Sequence, residues 1–342
     1  MSKTEATLKV IAEQLKISIT TVSKALKGYT DVSDKTRNSV LELAKELNYT
    51  PNSFAVNLRT QESKIIGLII PEIVHHFFSN VINGIISEAK KNNYLVITLQ
   101  TDESLELEQK HVELLINKRI DGIIMSLSNE SNFDAHLKEI ISKNIPLVLF
   151  DKYSKLANCS KVIIDDQKAA FEAVEHLILK GCKKIAHIRG PENPQNAIDR
   201  FIGYKKALKQ YNIPFDPKLV YTCNKVTFEE GKGFAEKIIN EQPEVDGIFV
   251  ITDLVAVGVL AYFNEVKINV PEQIKVIGFS NWFMSKVITP TLSTVDQPSY
   301  EMGVQSFKLL LNEILNKKNN IASKHETVVL ETQIIERKST SL

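Results

Sequence analysis

Two kinds of apolar pattern alternate along most of this chain. Short apolar runs, typical of buried strands, are separated by segments whose apolar residues recur every three or four positions, as on one face of a helix. The strand candidates are 64–71, 94–99, 122–127, 146–151, 161–165, 184–190, 220–223, 245–252 and 274–280. The helix candidates between them include 79–92, 105–118, 167–180, 198–211, 228–240 and 254–265. Apolar strands joined by helices predict a parallel, doubly wound sheet. Because the pattern is too long for one sheet and repeats after about residue 163, we expect two similar α/β lobes with a cleft between them.

The first 50 residues show only short helical patterns. Val10, Ile11 and Leu15 fall at helical spacing, and a second apolar stripe that includes Val22 begins after a break. Ser18 is placed to cap the second helix, because its hydroxyl can accept from the free N–H groups of the first turn. Two short helices with a tight turn predict a helix-turn-helix. A third helix follows, capped by Ser33 or Asp34, with an apolar stripe at Val40, Leu43, Ala44 and Leu47.

The second helix has a polar face. If Val22 is buried, then Ile19, Thr20, Ser23 and Lys24 point outward. Short hydroxyl side chains suit base edges and phosphates, and a lysine suits guanine or a phosphate. An ordinary solvated face would have the same composition, so the pattern alone leaves both interpretations open. Residues 1–60 carry nine Lys and Arg against six Asp and Glu, a weakly basic balance that permits nucleic-acid binding.

Three motifs in this region make the interpretation specific. They are TLKVIAEQLKISITTVSKALKG, VSDKTRNSVLELAKELNYTPN and SFAVNLR, which run from Thr7 to Arg59. They resemble the N-terminus of the LacI/GalR family of bacterial transcription regulators. The resemblance implies a DNA-binding headpiece over 1–50 with these candidate DNA-binding residues: Thr7, Ser18, Ile19, Thr20, Thr21, Ser23 and Lys24. One position departs from the family, since Lys16 stands in the turn where Gly or Asn is common. A left-handed backbone at a residue with a Cβ costs about 1–2 kcal/mol.

The segment 51–62 is predicted to be a linker with a short helix that is marginal by itself. In the family, such a hinge helix forms on operator DNA and enters the minor groove. The resemblance therefore implies DNA contacts from Asn52, Leu58 and Arg59, with the leucine wedged between base steps. The alternative is that Leu58 packs on the body of the protein.

The resemblance covers residues 63–342 as well. It implies the two-lobed fold of periplasmic sugar-binding proteins, serving for effector binding and dimerisation, with the chain crossing between lobes near 163, 293 and 325. Ligands of open α/β sheets bind beyond the carboxyl ends of the strands. Candidate effector-binding residues at such positions are Phe77, Phe78, Asp151, Asp166, Arg200, Asp253 and Ser280.

These candidates rest on different arguments. The two phenylalanines could pack on a sugar or fill the core, and each aspartate could bind ligand hydroxyls or cap a helix. Arg200 matches the family's Arg-x-x-Gly-aromatic motif, and a guanidinium can donate to two ligand oxygens. Ser280 stands in GFSN where many relatives carry an aspartate, so the ligand of those relatives cannot be assumed here.

Composition excludes several classes of protein. The three cysteines are far apart, so neither a disulfide framework nor a zinc site is expected. The N-terminus is too polar for a signal peptide and no apolar run is long enough for a membrane span, so we expect a cytoplasmic protein. No phosphate loop or complete nucleophile elbow is present, and His75 and His76 lack a third ligand at motif spacing. We therefore expect no enzyme activity, no metal and no cofactor.

The sequence thus predicts a ligand-responsive regulator, a repressor of carbohydrate-utilisation genes. It would bind a pseudo-palindromic double-stranded DNA operator as a homodimer, with a sugar or sugar derivative as effector. A nucleobase or a protein co-regulator is the alternative effector. No leucine-heptad tail follows the strand-like stretch ETVVLETQIIERK at 326–338, so a tetramer is not expected. The alternative functions are a solute-binding protein of the same fold and a cytoplasmic α/β enzyme.

Overall fold

A computed structural model describes residues 7–49, 62–73, 76–131, 135–322 and 324–341. The chain divides into two compact units, Met1–Ser63 and Lys64–Leu342, and each is described by itself. The predicted hinge residues Asn52, Leu58 and Arg59 lie outside the described residues. Within the described ranges, no helix has both the length and the apolar character that a membrane span requires.

The first unit is a bundle of three helices, here called the headpiece. They are α1 (Leu8–Leu15), α2 (Ile19–Leu26) and α3 (Asp34–Glu46). Ser18 and Ser33 cap α2 and α3 as the sequence predicts, because their hydroxyls accept from backbone N–H groups of the first turns. Thr7, a predicted DNA-binding residue, caps α1 in the same way. The helices bury a small core around Ile11, Val22 and Val40. Lys16 has the left-handed backbone expected of this turn, with φ of 53°.

The second unit contains two six-stranded sheets. The strands are β1 (Ile65–Ile70), β2 (Leu95–Gln100), β3 (Gly122–Met125), β4 (Leu147–Phe150), β5 (Ser160–Ile164), β6 (Ile185–Arg189), β7 (Val220–Thr222), β8 (Gly247–Val250), β9 (Lys275–Phe279), β10 (Ser293–Asp296), β11 (Thr327–Leu330) and β12 (Gln333–Ile335). The first sheet has the order β11-β5-β4-β3-β1-β2 and the second has the order β12-β10-β9-β8-β6-β7. The pairings between described strands are parallel except that β10 and β12 run antiparallel. The predicted two-lobed, doubly wound α/β fold is therefore confirmed.

Helices cover the sheets. They are α4 (His76–Lys91), α5 (Leu105–Asn117), α6 (Ala135–Ser142), α7 (Asp166–Leu179), α8 (Gln195–Gln210), α9 (Phe228–Glu241), α10 (Asp253–Glu265) and α11 (Ser299–Lys318). Three pairs pack closely: α4 with α11, α7 with α8, and α9 with α10. Each contact contains a glycine whose missing side chain lets the backbones meet. A Cβ on Gly231 of α9 would lie 2.1 Å from the carbonyl oxygen of Val255 in α10.

The chain passes between the lobes three times. It leaves the first sheet after β5, because α7 packs against strands of the second sheet. The chain returns to the first lobe between β10 and α11, because α11 packs on β3, β4 and β5 of the first sheet. It crosses again between Leu330 and Gln333, since β11 still pairs with β5 of the first sheet. The third crossing thus follows β11, later in the chain than the expected position near residue 325.

Candidate effector cleft and DNA-reading surface

A cavity lies at the carboxyl ends of strands from both sheets. Five of the seven predicted effector residues line it: Phe77, Phe78, Asp151, Arg200 and Ser280. The first three belong to the first lobe and the last two to the second. The rule that ligands bind beyond the carboxyl ends of the strands, here called the strand-end rule, therefore identified side chains that the fold brings together from up to about 200 positions apart in sequence.

The two phenylalanines have both of the roles considered for them. Their rings pack edge to face with centroids 5.2 Å apart, and Phe78 also packs against Phe150 of β4. Both side chains are buried in the core of the first lobe while they line the cavity. They give the cavity an apolar wall that is fixed by packing.

Arg200 is held in place by protein groups on two sides. Its Nε donates to the carboxylate of Asp166 at 2.7 Å, and its Nη1 donates to the carbonyl of Ile251 at 3.0 Å. The guanidinium also lies on the face of Phe279, 3.8 Å from the ring centroid. These contacts aim the arginine at the cavity, where its remaining N–H groups are placed to donate to a ligand.

Asp166 does not line the cavity. Its carboxylate is buried beneath Arg200, and burial raises the pKa of Asp166 to about 7 against the opposing effect of the arginine. The neighbouring Asp165 is the cap of α7, since it accepts from the N–H of Lys168. Asp166 is therefore neither the cap nor a group facing the cavity; it orients the arginine that does face it.

Asp151 lies at the junction of the two lobes. It ends β4 with a left-handed backbone, φ of 55°, and its buried carboxylate accepts from Nδ2 of Asn196 at 3.2 Å. Asn196 is in the first turn of α8 in the second lobe, so this hydrogen bond crosses the cleft. Burial raises the pKa of Asp151, while Arg200 and Lys152 lower it. Sequence reasoning missed Asn196, because nothing in its local pattern shows that α8 begins opposite β4.

Asp253 also lies outside the cavity lining. The cap of α10 is Thr252, whose hydroxyl accepts from the N–H of Val255. The carboxylate of Asp253 accepts from the N–H of Trp282 at 2.7 Å and from the hydroxyl of Thr294 at 2.6 Å. Burial raises the pKa of Asp253 to about 7. Asp253 thus fixes the loop that carries Ser280, and the serine reaches the cavity from that loop.

Other polar residues of the cavity were not predicted. Lys152 donates to Glu103 at 2.5 Å and to the side chain of Asn129 at 2.7 Å, which forms a polar wall in the first lobe. Gln297 is 4% exposed and lines the cavity from the second crossing. Among the described residues, its Nε2 has no hydrogen-bond partner. Gln297 directly follows β10, so the strand-end rule could have found it.

The headpiece exposes part of its predicted DNA-reading surface. Val22 is fully buried, and Ile19 and Thr20 in the first turn of α2 are exposed, as predicted. Ser18 is engaged within the helix terminus, where its hydroxyl contacts both the N–H and the hydroxyl of Thr21. Ser23 is half-buried.

Lys24 is also half-buried, and it makes an ion pair with Asp31 in the loop after α2. Its cationic group is therefore already engaged in the headpiece.

Neither reactive cysteines nor a metal site emerge from the described part of the chain. Cys159, Cys182 and Cys223 are buried and free, and burial raises the pKa of Cys159 to about 11. In the described ranges, no three His, Cys, Asp or Glu side chains come together as a metal site would require.

A helix-turn-helix unit on the same chain as a two-lobed binding core defines a class of protein, the ligand-responsive transcription regulator. Comparison with known proteins gives the same class. Residues 7–52 match the model of bacterial regulatory proteins of the lacI family, and residues 174–340 match a periplasmic binding protein-like domain. The chain is 33% identical over 313 residues to the ribose operon repressor of Halalkalibacterium halodurans, a match covering 91% of each chain. The chain therefore belongs to the lacI family of bacterial regulatory proteins.

Solved structures agree with the fold. The lac repressor dimer bound to operator and the anti-inducer ONPF superposes with a TM-score of 0.86 at 24% identity, covering 98% of this chain and 99% of that chain. A LacI family regulator from Enterococcus faecium with bound ribose superposes with a TM-score of 0.71 at 26% identity, covering 80% of this chain and 98% of that chain. The first match extends over both units of the present protein.

Proposed function

We propose that this protein is a transcriptional repressor of carbohydrate-utilisation genes that responds to an uncharged sugar. The headpiece over 1–50 binds double-stranded operator DNA, 51–62 forms the hinge, and 63–342 binds the effector and another copy of the chain. The observation that carries the proposal is the cavity between the lobes, with Arg200 held rigidly in it by Asp166 and Phe279.

The charges of the cavity support an uncharged ligand. Three cations line it, Lys152, Arg200 and Lys225, and two of them are already paired, Arg200 with Asp166 and Lys152 with Glu103. Three carboxylates line the same cavity, those of Glu72, Glu103 and Asp151. Burial and the nearby Glu103 raise the pKa of Glu72, and Lys152 lowers it. A phosphate group would add its negative charge to these three carboxylates, while two of the three lining cations are already paired.

The remaining polar groups suit hydroxyls. Donors and acceptors on both lobes converge on the cavity beside the phenylalanine wall, and they are Asp151, Asn196, Ser280 and Gln297. A sugar offers hydroxyls to such groups and an apolar ring face to an aromatic wall. The relative named as a ribose operon repressor and the related structure with bound ribose make a pentose the first candidate.

Coupling between effector binding and DNA binding depends on contacts that the two lobes make across the cleft. Asn196 donates to Asp151 across it, and Asn193 donates to the carbonyl of Asn129 at 2.9 Å. A ligand that contacts both lobes changes the free energy of closure, and only its difference in affinity between open and closed states can shift DNA binding. In a homodimer, that shift alters how two hinge segments and two α2 helices meet successive half-sites.

The protein acts by binding rather than by turnover in this proposal, as the names of its relatives indicate. A protein that binds operator DNA acts in the bacterial cytoplasm, and we propose this location for the present protein. The cysteines and carboxylates described above have structural roles that require no catalysis.

A thermal-shift screen of matched neutral and phosphorylated sugars tests the effector class. D-ribose and ribose 5-phosphate form the first pair, followed by hexoses and nucleosides with their phosphates. A ligand at about 100 times its Kd adds about 2.7 kcal/mol to the free energy of unfolding, which a melt detects. We expect stabilisation by a neutral sugar and none by its phosphate, and Arg200→Met should abolish it. Stabilisation by phosphorylated sugars alone would contradict the proposal that the effector is uncharged. A screen without any response would contradict the proposal that the cavity binds an effector.

DNA binding is tested separately, with an operator selected from randomised palindromic duplexes. Lys24→Ala should weaken operator binding and leave the ligand-induced thermal shift intact, and Leu58→Ala should do the same. Lys45→Ala, an exposed lysine at the end of α3, is the matched control. If both test variants bind the operator like the unmodified protein, α2 and the hinge are not the reading surface.

A further inference from the structure

An acidic residue lies beside the proposed DNA-reading helix. Asp31, in the loop between α2 and α3, forms an ion pair with Lys24 in the last turn of α2. The side chains are 42% exposed at Lys24 and 54% exposed at Asp31, so both reach solvent on the same side of the headpiece. The hydrogen bond from Lys24 is the largest cause that lowers the pKa of Asp31, so the aspartate is ionised at neutral pH.

The loop that carries Asp31 is rigidly built. The guanidinium of Arg37 in α3 donates from Nη2 to the carbonyls of Tyr29 at 2.9 Å and Val32 at 3.1 Å. Its Nη1 pairs with Asp34 at 2.9 Å. The side chain of Val32 is buried in the headpiece core. Because the loop is fixed on both sides of Asp31, the fold sets the backbone position from which Asp31 reaches Lys24.

A lysine that already has a partner contributes less to binding any phosphate backbone. Attraction between lysines and phosphates is independent of sequence and supplies most of the affinity for non-specific DNA. Specificity is a difference of affinities, and a protein can raise it by making the wrong complex less favourable. An ion pair that must open before Lys24 reaches a phosphate lowers the affinity for non-specific DNA, where phosphate contacts supply essentially all of the binding free energy.

We propose that Asp31 limits non-specific DNA binding by the headpiece, because it holds Lys24 away from phosphate contacts. The inference rests on the proposed function, because it requires α2 to be the DNA-reading helix. Asp31 acts through Lys24, so its effect on DNA binding depends on that lysine being present.

Non-specific binding of the full-length protein tests this without knowledge of the operator. Fluorescence anisotropy with a random-sequence duplex, at about 50 to 200 mM salt, gives the affinity and its salt dependence. Asp31→Asn keeps the shape of the side chain and removes its charge. We expect this variant to bind about two- to fivefold more tightly, the range for loss of one exposed ion pair. The slope of log K against log salt should steepen by up to about 0.9, the value for one added phosphate contact.

Asp34→Asn is the matched control, because it removes the same charge from the same headpiece but from a residue paired with Arg37. It should change affinity less than Asp31→Asn. The decisive step is a double-mutant cycle, in which Asp31→Asn should have no effect once Lys24 is replaced by methionine. Circular dichroism of each variant verifies that the headpiece is folded.

Three outcomes would overturn the inference alone. The first is an effect of Asp31→Asn no larger than that of Asp34→Asn. The second is an effect of Asp31→Asn that persists in full beside Lys24→Met, which makes it a general charge effect. The third is weaker binding by Asp31→Asn, which means that Asp31 itself contacts DNA. An unmodified protein that binds no duplex at all would refute the proposed function, and this inference with it.

Discussion

Two glycines on one helix give a sharp test of the packing in the second lobe. Gly231 and Gly233 both lie in α9, two positions apart, and therefore face different surroundings. A Cβ on Gly231 would lie 2.1 Å from the carbonyl oxygen of Val255, whereas a Cβ on Gly233 meets nothing within 4 Å. The same change, Gly→Ala, should have opposite effects at the two positions.

The magnitude follows from two opposing contributions. Alanine is better than glycine in a helix interior by about 1 kcal/mol, and this applies to both positions. At Gly231 the new methyl group meets backbone, which cannot rotate away as a side chain can. The reciprocal contact is as close, since a Cβ on Gly258 would lie 2.1 Å from the carbonyl of Phe228. Overpacking of a well-packed contact costs about 1–3 kcal/mol. The upper end of this range applies here, because α9 and α10 must separate to make room for the methyl group.

We therefore expect Gly231→Ala to lower the free energy of unfolding by about 2 kcal/mol and Gly233→Ala to raise it by about 0.5–1 kcal/mol. For a domain of this size, 1 kcal/mol corresponds to about 2–4 °C in Tm. Trp282 is the only tryptophan in the chain, and its backbone N–H donates to the carboxylate of Asp253 in the same lobe, so its fluorescence reports unfolding there. If Gly231→Ala melts at or above the Tm of Gly233→Ala, the close approach of α9 and α10 is not as described.

Three further predictions concern buried ionisable side chains. Arg200→Met leaves the buried carboxyl of Asp166 without its partner and should cost about 3–5 kcal/mol in urea unfolding, and a second change, Asp166→Leu, should recover most of that loss. The native pKa of Asp253, about 7, lies above its ordinary value of 3.8, so the native state binds more protons between these values. Its contribution to stability therefore falls as pH rises from about 4 to 7, and Asp253→Asn should remove that part of the Tm-against-pH curve. Burial lowers the pKa of His187 from 6.5 to about 3, so the stability that this neutral histidine contributes is present above pH 6.5 and is lost as pH falls towards 3. His187→Phe should flatten the acid side of the same curve, and an unchanged acid side would contradict the assignment.

The sequence predicts the elements well because each carries a strong local signal. Apolar runs such as IIGLII and GIIM are buried throughout most of their length, and hydroxyl residues cap the headpiece helices where the pattern places them. The turn at Lys16 adopts its left-handed backbone despite the Cβ, since the two helices fix it from both sides. Such features depend on neighbours in sequence and need no knowledge of the lobes.

The cleft is harder to predict, because it depends on which elements of the two lobes face one another. Strand-end residues such as Ser280 could be found, but the partner of Asp151 could not, since Asn196 faces it only in the assembled core. Sequence also cannot show which carboxylates serve the protein itself. Asp166 and Asp253 resemble ligand-binding residues in their position after a strand, yet each is occupied by groups of the protein beneath or beside the cavity.

The late crossing between β11 and β12 has a consequence for synthesis of the protein on the ribosome. The nine-residue segment from Thr327 to Ile335 supplies the edge strand of both sheets, and α11, just before it, covers the first sheet. Until this segment emerges, β5 and β10 each present an unpaired edge, which is the kind of surface that recruits strands from other chains. The headpiece has its own core and is complete some 280 residues earlier. A chain released before its last strands are made would thus carry a finished DNA-binding unit on an effector core with two open sheet edges, prone to aggregation rather than to regulation.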